Sequence, residues 1–329
     1  MSKKVFVTTL LVVLTGLVLW WVRPARHEAA RSLIAVAQDT IDWIGHGGDV
    51  VLYDALLFKV YDHALYVADR GDLSIKKFDP NGKLLRRYGG VRGEGPGELQ
   101  SIVDFSIHEN NLWIADVRQR RILHFDVATG RYLGEVQVPE IHPWRIVQVG
   151  PYLIVLGLGP FEELFVQYDT SGRFHRRFGI VTDRQYAKKI GMSGQLASLG
   201  DTAFVFVPLM AGYAFIFDTT GTLRGRFPLL DERPFPDSRV EDRPEGRLFI
   251  APDSDTLNRN ISVEKNQLYV HTAYRQPVRR LFIDAYLLPG GRYVHSIEVA
   301  NAPFGALLAG DRVYVLDDTL VTVLRLRQR

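Results

Sequence analysis

Histidine and aspartate are the residues of this chain that are best placed to do chemistry. The histidines are scattered, and no two show the H-x-x-x-H spacing that puts two metal ligands on one face of a helix. His46, in a glycine-rich loop, and His271, at the end of a predicted strand, are the two that could act as metal ligands, although a lone histidine is more often a hydrogen-bonded or solvated residue. The nine histidines are His27, His46, His63, His108, His124, His142, His175, His271 and His295.

Three aspartates, Asp69, Asp116 and Asp317, end predicted strands at equivalent places. This repetition favours a role in capping turns over catalysis or calcium binding. Cysteine is absent, which excludes disulfides, thiolate metal ligands, cysteine nucleophiles and the cysteine-linked lipid of bacterial lipoproteins. No G-x-S-x-G nucleophile motif occurs either. The sequence therefore predicts no catalytic residue, no metal ligand set and no cofactor.

The elements that must position these residues form a repeat. The pentads at 65–69 and 112–116 are nearly the same, and each leads into a second alternating run, at 75–79 and 122–126. Alternation of apolar and polar residues is typical of half-buried strands. A repeat of 40–50 residues with about four strands is typical of a propeller blade.

Each of the first four units also contains a turn that begins with aspartate and ends with glycine, because aspartate caps the turn backbone and glycine accepts a positive φ. These turns are Asp79 to Gly82, Asp126 to Gly130, Asp169 to Gly172 and Asp218 to Gly221. The turns are 43–49 residues apart, so residues 40–329, 290 in number, are expected to form an all-β, six-bladed propeller with about 48 residues per blade. Seven blades would need roughly 41 residues each, which the spacing disfavours.

The later units are less regular, and the last one lacks a strand at the end of the chain. Residues 40–44 occupy the place of an outer strand in the repeat, so we expect them to complete the last blade and close the ring. Closure removes an unpaired sheet edge. The repeat is interrupted twice, and residues 180–199 and 228–260 are predicted to be insertions. Long loops on a rigid scaffold are where binding sites tend to lie.

The best-preserved residues resemble the NHL-repeat family of six-bladed propellers. Gly93 to Leu99, Leu112 to Asp116 and Arg121 to Asp126 are similar to the glycine-rich connection, the YVAD strand and the R-I-x-x-F strand of that family. The resemblance is specific over residues 57–136, and it implies an NHL-like architecture. Ser74 stands where the family has arginine, so that packing contact is not implied in the first blade.

The glycine-rich loop could be mistaken for a phosphate cradle. It enters a strand rather than a helix, however, and so lacks the helix N-terminus that receives an anion. A tight turn between blades is the favoured interpretation.

The first thirty residues predict a membrane anchor. Residues 5–22 form an uncharged apolar run whose helical length, roughly 27 Å, is close to the ~30 Å hydrocarbon core of a bilayer. A cleaved signal peptide is the alternative, because small residues follow the run, but the run is long and ends in bulky tryptophans. We predict a transmembrane signal anchor over residues 1–23, with lipid-facing residues that include Val5, Leu14, Leu19, Trp20, Trp21 and Val22.

Residues 24–39 are expected to be a linker that could form a short helix. A short tail before the span and a large domain after it predict a single-pass protein with the propeller on the periplasmic or extracytoplasmic side. The basic residues on the two sides of the span do not decide the orientation.

Basic residues recur on the predicted outermost strands. They discourage aggregation at strand edges, and they could also form a rim that contacts anionic lipid or an acidic partner. These residues are Arg86, Arg87, Arg176, Arg177, Arg224 and Arg226.

The net charge of +3 comes without a concentrated basic block, so nucleic-acid binding is not expected. The favoured hypothesis is a non-enzymatic interaction or scaffold module, an accessory subunit of a membrane complex. Its expected partners are lipid, through the N-terminal helix, and other membrane or periplasmic proteins. A metal-dependent hydrolase or lyase with its site at the propeller channel is the alternative.

Overall fold

The computed structural model describes residues 30–34, 36–44, 51–180, 193–235, 239–243, 246–250, 256–274, 280–299, 305–317 and 319–328. Within these ranges no helix is long and apolar enough to cross a membrane. The predicted anchor, His27, His46 and residues 181–192 of the first predicted insertion lie outside the described residues.

The strands, numbered β1 to β26 in chain order, build six four-stranded antiparallel sheets and one separate hairpin. In each sheet, or blade, the strands are called inner, second, third and outer. Blade 1 contains β2 (Ala55–Tyr61), β3 (Ala64–Asp69), β4 (Ser74–Phe78) and β5 (Leu84–Gly89), and blade 2 contains β6 (Asp104–His108), β7 (Asn111–Asp116), β8 (Arg121–Asp126) and β9 (Tyr132–Gln137). Blade 3 contains β10 (His142–Val149), β11 (Tyr152–Leu158), β12 (Phe165–Asp169) and β13 (Phe174–Phe178), and blade 4 contains β14 (Gly194–Leu199), β15 (Ala203–Pro208), β16 (Tyr213–Asp218) and β17 (Leu223–Pro228). Blade 5 contains β20 (Thr256–Glu264), β21 (Gln267–Tyr274), β22 (Arg280–Leu287) and β23 (Arg292–Glu298).

Blade 6 joins the two ends of the propeller. Its inner, second and third strands are β24 (Gly305–Ala309), β25 (Arg312–Asp317) and β26 (Leu320–Gln328), and its outer strand is β1 (Val36–Ile44). The pairing of β1 with β26 is antiparallel, from Ile44 opposite Val321 to Val36 opposite Gln328. The prediction that residues 40–44 close the ring is confirmed, and the closing strand begins four residues earlier than expected. Residues 36–39 of the expected linker are therefore strand.

The two predicted insertions contain parts of the blades. Residues 194–199 are β14, the inner strand of blade 4, and residues 256–260 begin β20, the inner strand of blade 5. Between β17 and β20 lies the separate hairpin of β18 (Arg239–Arg243) and β19 (Gly246–Ile250). The additional material is thus smaller than the sequence indicated, because both inner strands carry too few apolar residues to be recognised by alternation.

Neighbouring blades share hydrophobic cores. In β7, Leu112 and Ile114 pack into the core between blades 1 and 2, whereas Trp113 and Ala115 pack into the core between blades 2 and 3. Both faces of the sheet are therefore buried, which is why residues 65–68 of β3 and 112–115 of β7 are continuous apolar runs rather than alternating ones. Burying one leucine or isoleucine side chain contributes about 1.5–3 kcal/mol, so a blade without neighbours on both sides would be unstable.

In blades 2 to 5 the glycine that ends the turn between the third and outer strands packs against the outer strand of the preceding blade. Gly172 and Gly291 both have positive φ, at 91° and 70°. A Cβ added at Gly172 would lie 3.5 Å from the Val136 side chain, which is ordinary contact, whereas one added at Gly291 would lie 1.9 Å from the buried Phe227 ring.

We predict that Gly172→Ala and Gly291→Ala differ in cost. Both force alanine into the left-handed region, at about 1–2 kcal/mol, and only Gly291→Ala adds overpacking, at about 1–3 kcal/mol. Denaturant unfolding of the two variants measures this difference. Equal losses of stability would show that blades 4 and 5 are not packed as described.

Candidate functional site

Asp69 and Asp116 tie the connections between blades to the turns after the second strands. The buried Asp69 carboxylate accepts hydrogen bonds from the N–H groups of Tyr53 and Asp54, both 2.9 Å, and from Lys76 Nζ at 2.6 Å. Asp116 accepts from Gln100 N at 2.8 Å in the same way. The predicted capping role is therefore observed at both positions.

These hydrogen bonds stabilise the negative charge of the Asp69 carboxylate. Burial alone would raise the pKa of its carboxyl, but the hydrogen bonds from Lys76, Tyr53 and Asp54 outweigh burial and lower the pKa below its usual value. Lys76 is itself buried, and its Nζ also lies 2.9 Å from Asp72 Oδ2 and 2.6 Å from the carbonyl oxygen of Val51.

The N–H groups of Gly93 and Gly95 in the glycine-rich connection at 93–99 donate to acceptors within the connection itself. Glu98 Oε2 accepts a hydrogen bond from Gly95 N at 2.9 Å, and Gly93 N donates to Leu99 O at 3.2 Å. The buried Arg121 donates to the carbonyl oxygen of Glu98 at 2.7 Å and to Glu135 Oε2 at 2.7 Å. The loop is a structural turn, as expected, and Arg121 holds it in place.

In blade 1 a lysine, Lys76, makes the contact that Arg121 makes in blade 2. Ser74 occupies the place of Arg121, and Lys76, two residues further along the same face of the strand, reaches the incoming connection instead. In blade 1 the contact to the incoming connection is therefore kept, with Lys76 as its donor in place of an arginine at position 74.

His271 and His124 make structural contacts. His271 is buried in β21, and its Nδ1 accepts a hydrogen bond from Ala306 N of the next blade at 3.0 Å. His124 stacks on Trp113 with 3.9 Å between ring centroids, and burial lowers its pKa. Within the described ranges no group of three His, Asp or Glu side chains is arranged to hold a metal ion.

Polar side chains of the inner strands bind the next blade. Lys59 Nζ lies 2.9 Å from Asp104 Oδ1, and the other oxygen of Asp104 accepts from Ile146 N at 2.8 Å. Arg145 Nε donates to Gln195 Oε1 at 3.3 Å, and Gln195 Nε2 donates to the carbonyl oxygen of Arg259 at 2.9 Å. These contacts run from blade 1 to blade 5, and the sequence did not indicate them because the inner strands are the weakest part of the repeat.

The six arginines of the predicted rim lie on the outer strands, but they do not form one surface. Arg86 and Arg176 each donate, at 2.6 Å, to a carbonyl oxygen in the turn of the following blade. Arg87 and Arg177 pair with Asp72 and Glu140, respectively. Arg224 pairs with Asp218, and the guanidinium of Arg226 lies 4.3 Å from the centroid of the Tyr213 ring.

Every outer strand has a β-bulge at the same place. One residue of the outer strand has no partner on the third strand, and these bulge residues, which we call the bulge ring, are Ile41, Leu85, Leu133, His175, Arg224 and Val294. Bulges re-aim side chains and protect sheet edges. The sequence did not reveal the ring, because a bulge depends on strand register.

Several members of the bulge ring are exposed apolar residues. Leu85, Leu133 and Val294 are 48%, 42% and 37% exposed. His175 and Arg224 occupy the same position in blades 3 and 4, which shows that the fold accepts polar side chains there. The apolar choice in blades 1, 2 and 5 is therefore not dictated by packing.

Comparison with known proteins supports the fold. Residues 49–151 match the family model DUF5128, described as a 6-bladed beta-propeller. No curated protein matches the sequence.

Two solved structures share the architecture. A Bacteroides fragilis protein described as exported is 12% identical, with a TM-score of 0.57 and coverage of 92% of this chain and 97% of its own. A member of the duf4221 family from Bacteroides vulgatus is 9% identical, with a TM-score of 0.59 and coverage of 91% of this chain and 100% of its own. At these identities the likeness shows the fold alone: the chain folds as a six-bladed β-propeller.

We predict that Lys76→Met destabilises the protein by about 3 kcal/mol at neutral pH, because it leaves the buried Asp69 carboxylate without its cation. The folded pKa of Asp69 is lowered, so its charge stabilises the fold above about pH 4 and this contribution is lost at lower pH. The deficit of the variant should therefore shrink on acidification below pH 4, as measured by urea unfolding. Lys77→Met, on the opposite face of β4, is the control with a small expected effect, and a pH-independent deficit would contradict the assignment.

Proposed function

We propose that this protein is a membrane-tethered, extracytoplasmic interaction module that binds another protein through the perimeter of its propeller, as an accessory subunit of a larger membrane assembly. The tether is the apolar run at residues 5–22. The propeller contributes a rigid scaffold, which is the usual support for binding residues on loops and edges.

The observation that carries the proposal is the bulge ring. Its exposed Leu85, Leu133 and Val294 recur on separate blades at a position where the fold also accepts histidine or arginine. Single exposed apolar residues need no explanation, but Leu85 and Leu133 fill the same exposed position on neighbouring blades, which favours a contact surface on that side of the perimeter.

The chemistry of the inner strands also favours binding over catalysis. Lys59, Asp104, Arg145 and Gln195 bind one another or the backbone of the next blade. Outside the inner strands, Asp69 of β3 is likewise bound to Lys76 of β4. Groups that fix the position of one blade against the next serve the scaffold.

We also propose that the blades are of the NHL type. The contact of Arg121 with the glycine-rich connection and the capping by Asp116 support this for blade 2. In blade 1 the contact is made by Lys76 instead.

Photo-cross-linking in native membranes tests the contact surface. Benzoylphenylalanine placed at Leu85 or Leu133 of the full chain should give an adduct with the same partner protein, because the two exposed residues lie on the outer strands of neighbouring blades. Glu162, exposed in the loop between β11 and β12, is the matched control and should give none. Adducts from Glu162 alone, or from no position, would overturn the proposal.

Membrane fractionation tests the tether. The full chain should remain in the pellet after carbonate extraction, whereas a variant that lacks residues 1–29 should be released, because β1 and the blades are left intact. A full chain extracted as readily as the shortened one would contradict the anchor.

A further inference from the structure

A cavity of about 280 Å³ lies beside blade 1. Its walls come from the connection that enters the blade, from the turn between β3 and β4, and from β4 and β5. Ligand pockets in proteins begin at roughly 300 Å³, so this cavity has the size for a small molecule or for the end of a chain. The lining residues that matter here are Val51, Tyr53, Asp72, Lys76, Leu84 and Arg87.

The repeat shows what occupies the same place in blade 2. Gln119 and Tyr132 there hold the positions of Asp72 and Leu84 in blade 1. Gln119 Nε2 donates to a carbonyl oxygen of the glycine-rich connection at 2.8 Å, and a Cβ added at Gly97 would lie 3.4 Å from Tyr132. The glycine-rich connection therefore packs on these two side chains, whereas their counterparts in blade 1 line a cavity.

The connection that enters blade 1 is also shorter. Ile44 and Tyr88 hold the same place on their outer strands, and the N–H groups of Tyr53 and Gln100 both donate to the aspartate that ends the second strand. Eight residues separate Ile44 from Tyr53, whereas eleven separate Tyr88 from Gln100. Blade 1 thus has fewer residues than blade 2 with which to build a turn of the glycine-rich kind.

Lys76 supplies positive charge to the cavity rather than hydrogen-bond donors. It is buried, and its ammonium already contacts Asp69 at 2.6 Å, Asp72 at 2.9 Å and the carbonyl oxygen of Val51 at 2.6 Å. Asp72 is the one carboxylate among the described residues of the cavity wall, and its Oδ2 is shared by Lys76 and Arg87. The buried Asp69, which balances part of this charge, is not part of the wall.

Arg87 is the group that can bind an anion. Its side chain is 45% exposed, and within the described part of the chain its ion pair with Asp72 is made through Nη2 at 3.2 Å. Nη1 and Nε are therefore available as donors, and a guanidinium presents its donors in the geometry that a carboxylate accepts. Blade 2 has Glu135 at this position, so the fold does not require an arginine there.

Apolar surface lies next to this guanidinium. The Tyr53 and Val51 side chains are 60% and 46% exposed, and Leu84 is half-buried in the same wall. Lys76 Nζ lies 5.1 Å from the centroid of the Tyr53 ring, which helps to hold the ring in place. An apolar group that covers these side chains would remove their surface from water.

We propose that this cavity binds a carboxylate that carries an apolar group, either a small acid or the C-terminal residue of another chain. The carboxylate pairs with Arg87, and the apolar group lies against Tyr53 and Leu84. This site goes beyond the proposed function, because it does not depend on a partner that binds the bulge ring.

The test uses the purified full chain in a neutral detergent and a fluorescein-labelled tetrapeptide, Gly-Ser-Gly-Phe, with an unmodified C-terminal carboxylate. Fluorescence anisotropy should show binding that weakens about tenfold or more in Arg87→Met, because a charge-assisted hydrogen-bonded pair is lost. The matched control is Arg131→Met, an exposed arginine in the turn before β9 of blade 2, where the affinity should change less than about twofold. The same peptide with a C-terminal amide should also bind about tenfold more weakly.

Two further variants separate the roles of the side chains. Arg87→Lys should recover part of the affinity, because lysine keeps the charge but not the planar fork. Tyr53→Ala keeps the N–H group that binds Asp69, so the fold should be retained. It should weaken binding of the peptide that ends in phenylalanine more than binding of one that ends in glycine, because only the phenylalanine ring can lie against Tyr53.

Absence of binding, equal affinity for the acid and the amide, or equal losses in Arg87→Met and Arg131→Met would overturn the proposal. N-acetylphenylalanine, added as a competitor, distinguishes the two sources of the ligand. Displacement of the peptide at similar concentrations supports a small acid, and failure to displace it supports the end of a chain. Cross-linking from Leu133 is measured in the same samples: if its adduct forms while the peptide does not bind, the interaction module stands and the cavity site fails.

Discussion

The burial of each blade between two others is the constraint on which this structure depends. Sheets such as β2 to β5 are apolar on both faces, and no blade can be left at an end without exposing a core. The ring must therefore close, and it closes through the pairing of β1 with β26. The shared cores set the positions of the blades, and the polar contacts from Lys59, Asp104 and Arg145 to their neighbours fix those positions more closely.

Much of the fold could be predicted because its signals are local. The pentad that ends in Asp69 and Asp116 marks the second strand, and the Asp-to-Gly turns mark the passage to the outer strand. The closing strand was also predictable, since residues 40–44 follow the register of Leu84 to Tyr88. The inner strands β14 and β20 were missed as parts of blades because polar side chains such as Gln195 and Ser262, which donate to carbonyl oxygens of the next blade, interrupt the apolar pattern.

The surface was less predictable than the core, for a physical reason. The six rim arginines were identified from sequence as one class, but Arg86 and Arg176 join blades, Arg87 and Arg177 form ion pairs, and Arg226 rests on Tyr213. Which of these applies depends on contacts with residues of other strands and turns, such as Thr129, 43 positions from Arg86, and Thr220, 44 positions from Arg176. The bulges that expose Leu85 and Leu133 depend on pairing register and are equally hidden from a linear reading.

Ring closure by the first strand also governs the order of folding. Val36 is the partner of Gln328, so β1, the first strand of the propeller to be synthesised, can pair only after β26, the last strand, has been made. Blades 1 to 5 can assemble as they emerge, because each consists of consecutive strands. The last blade cannot, and until β26 has been made the growing chain carries both an unpaired β1 and two uncovered blade faces, which are the surfaces most exposed to wrong pairing during synthesis.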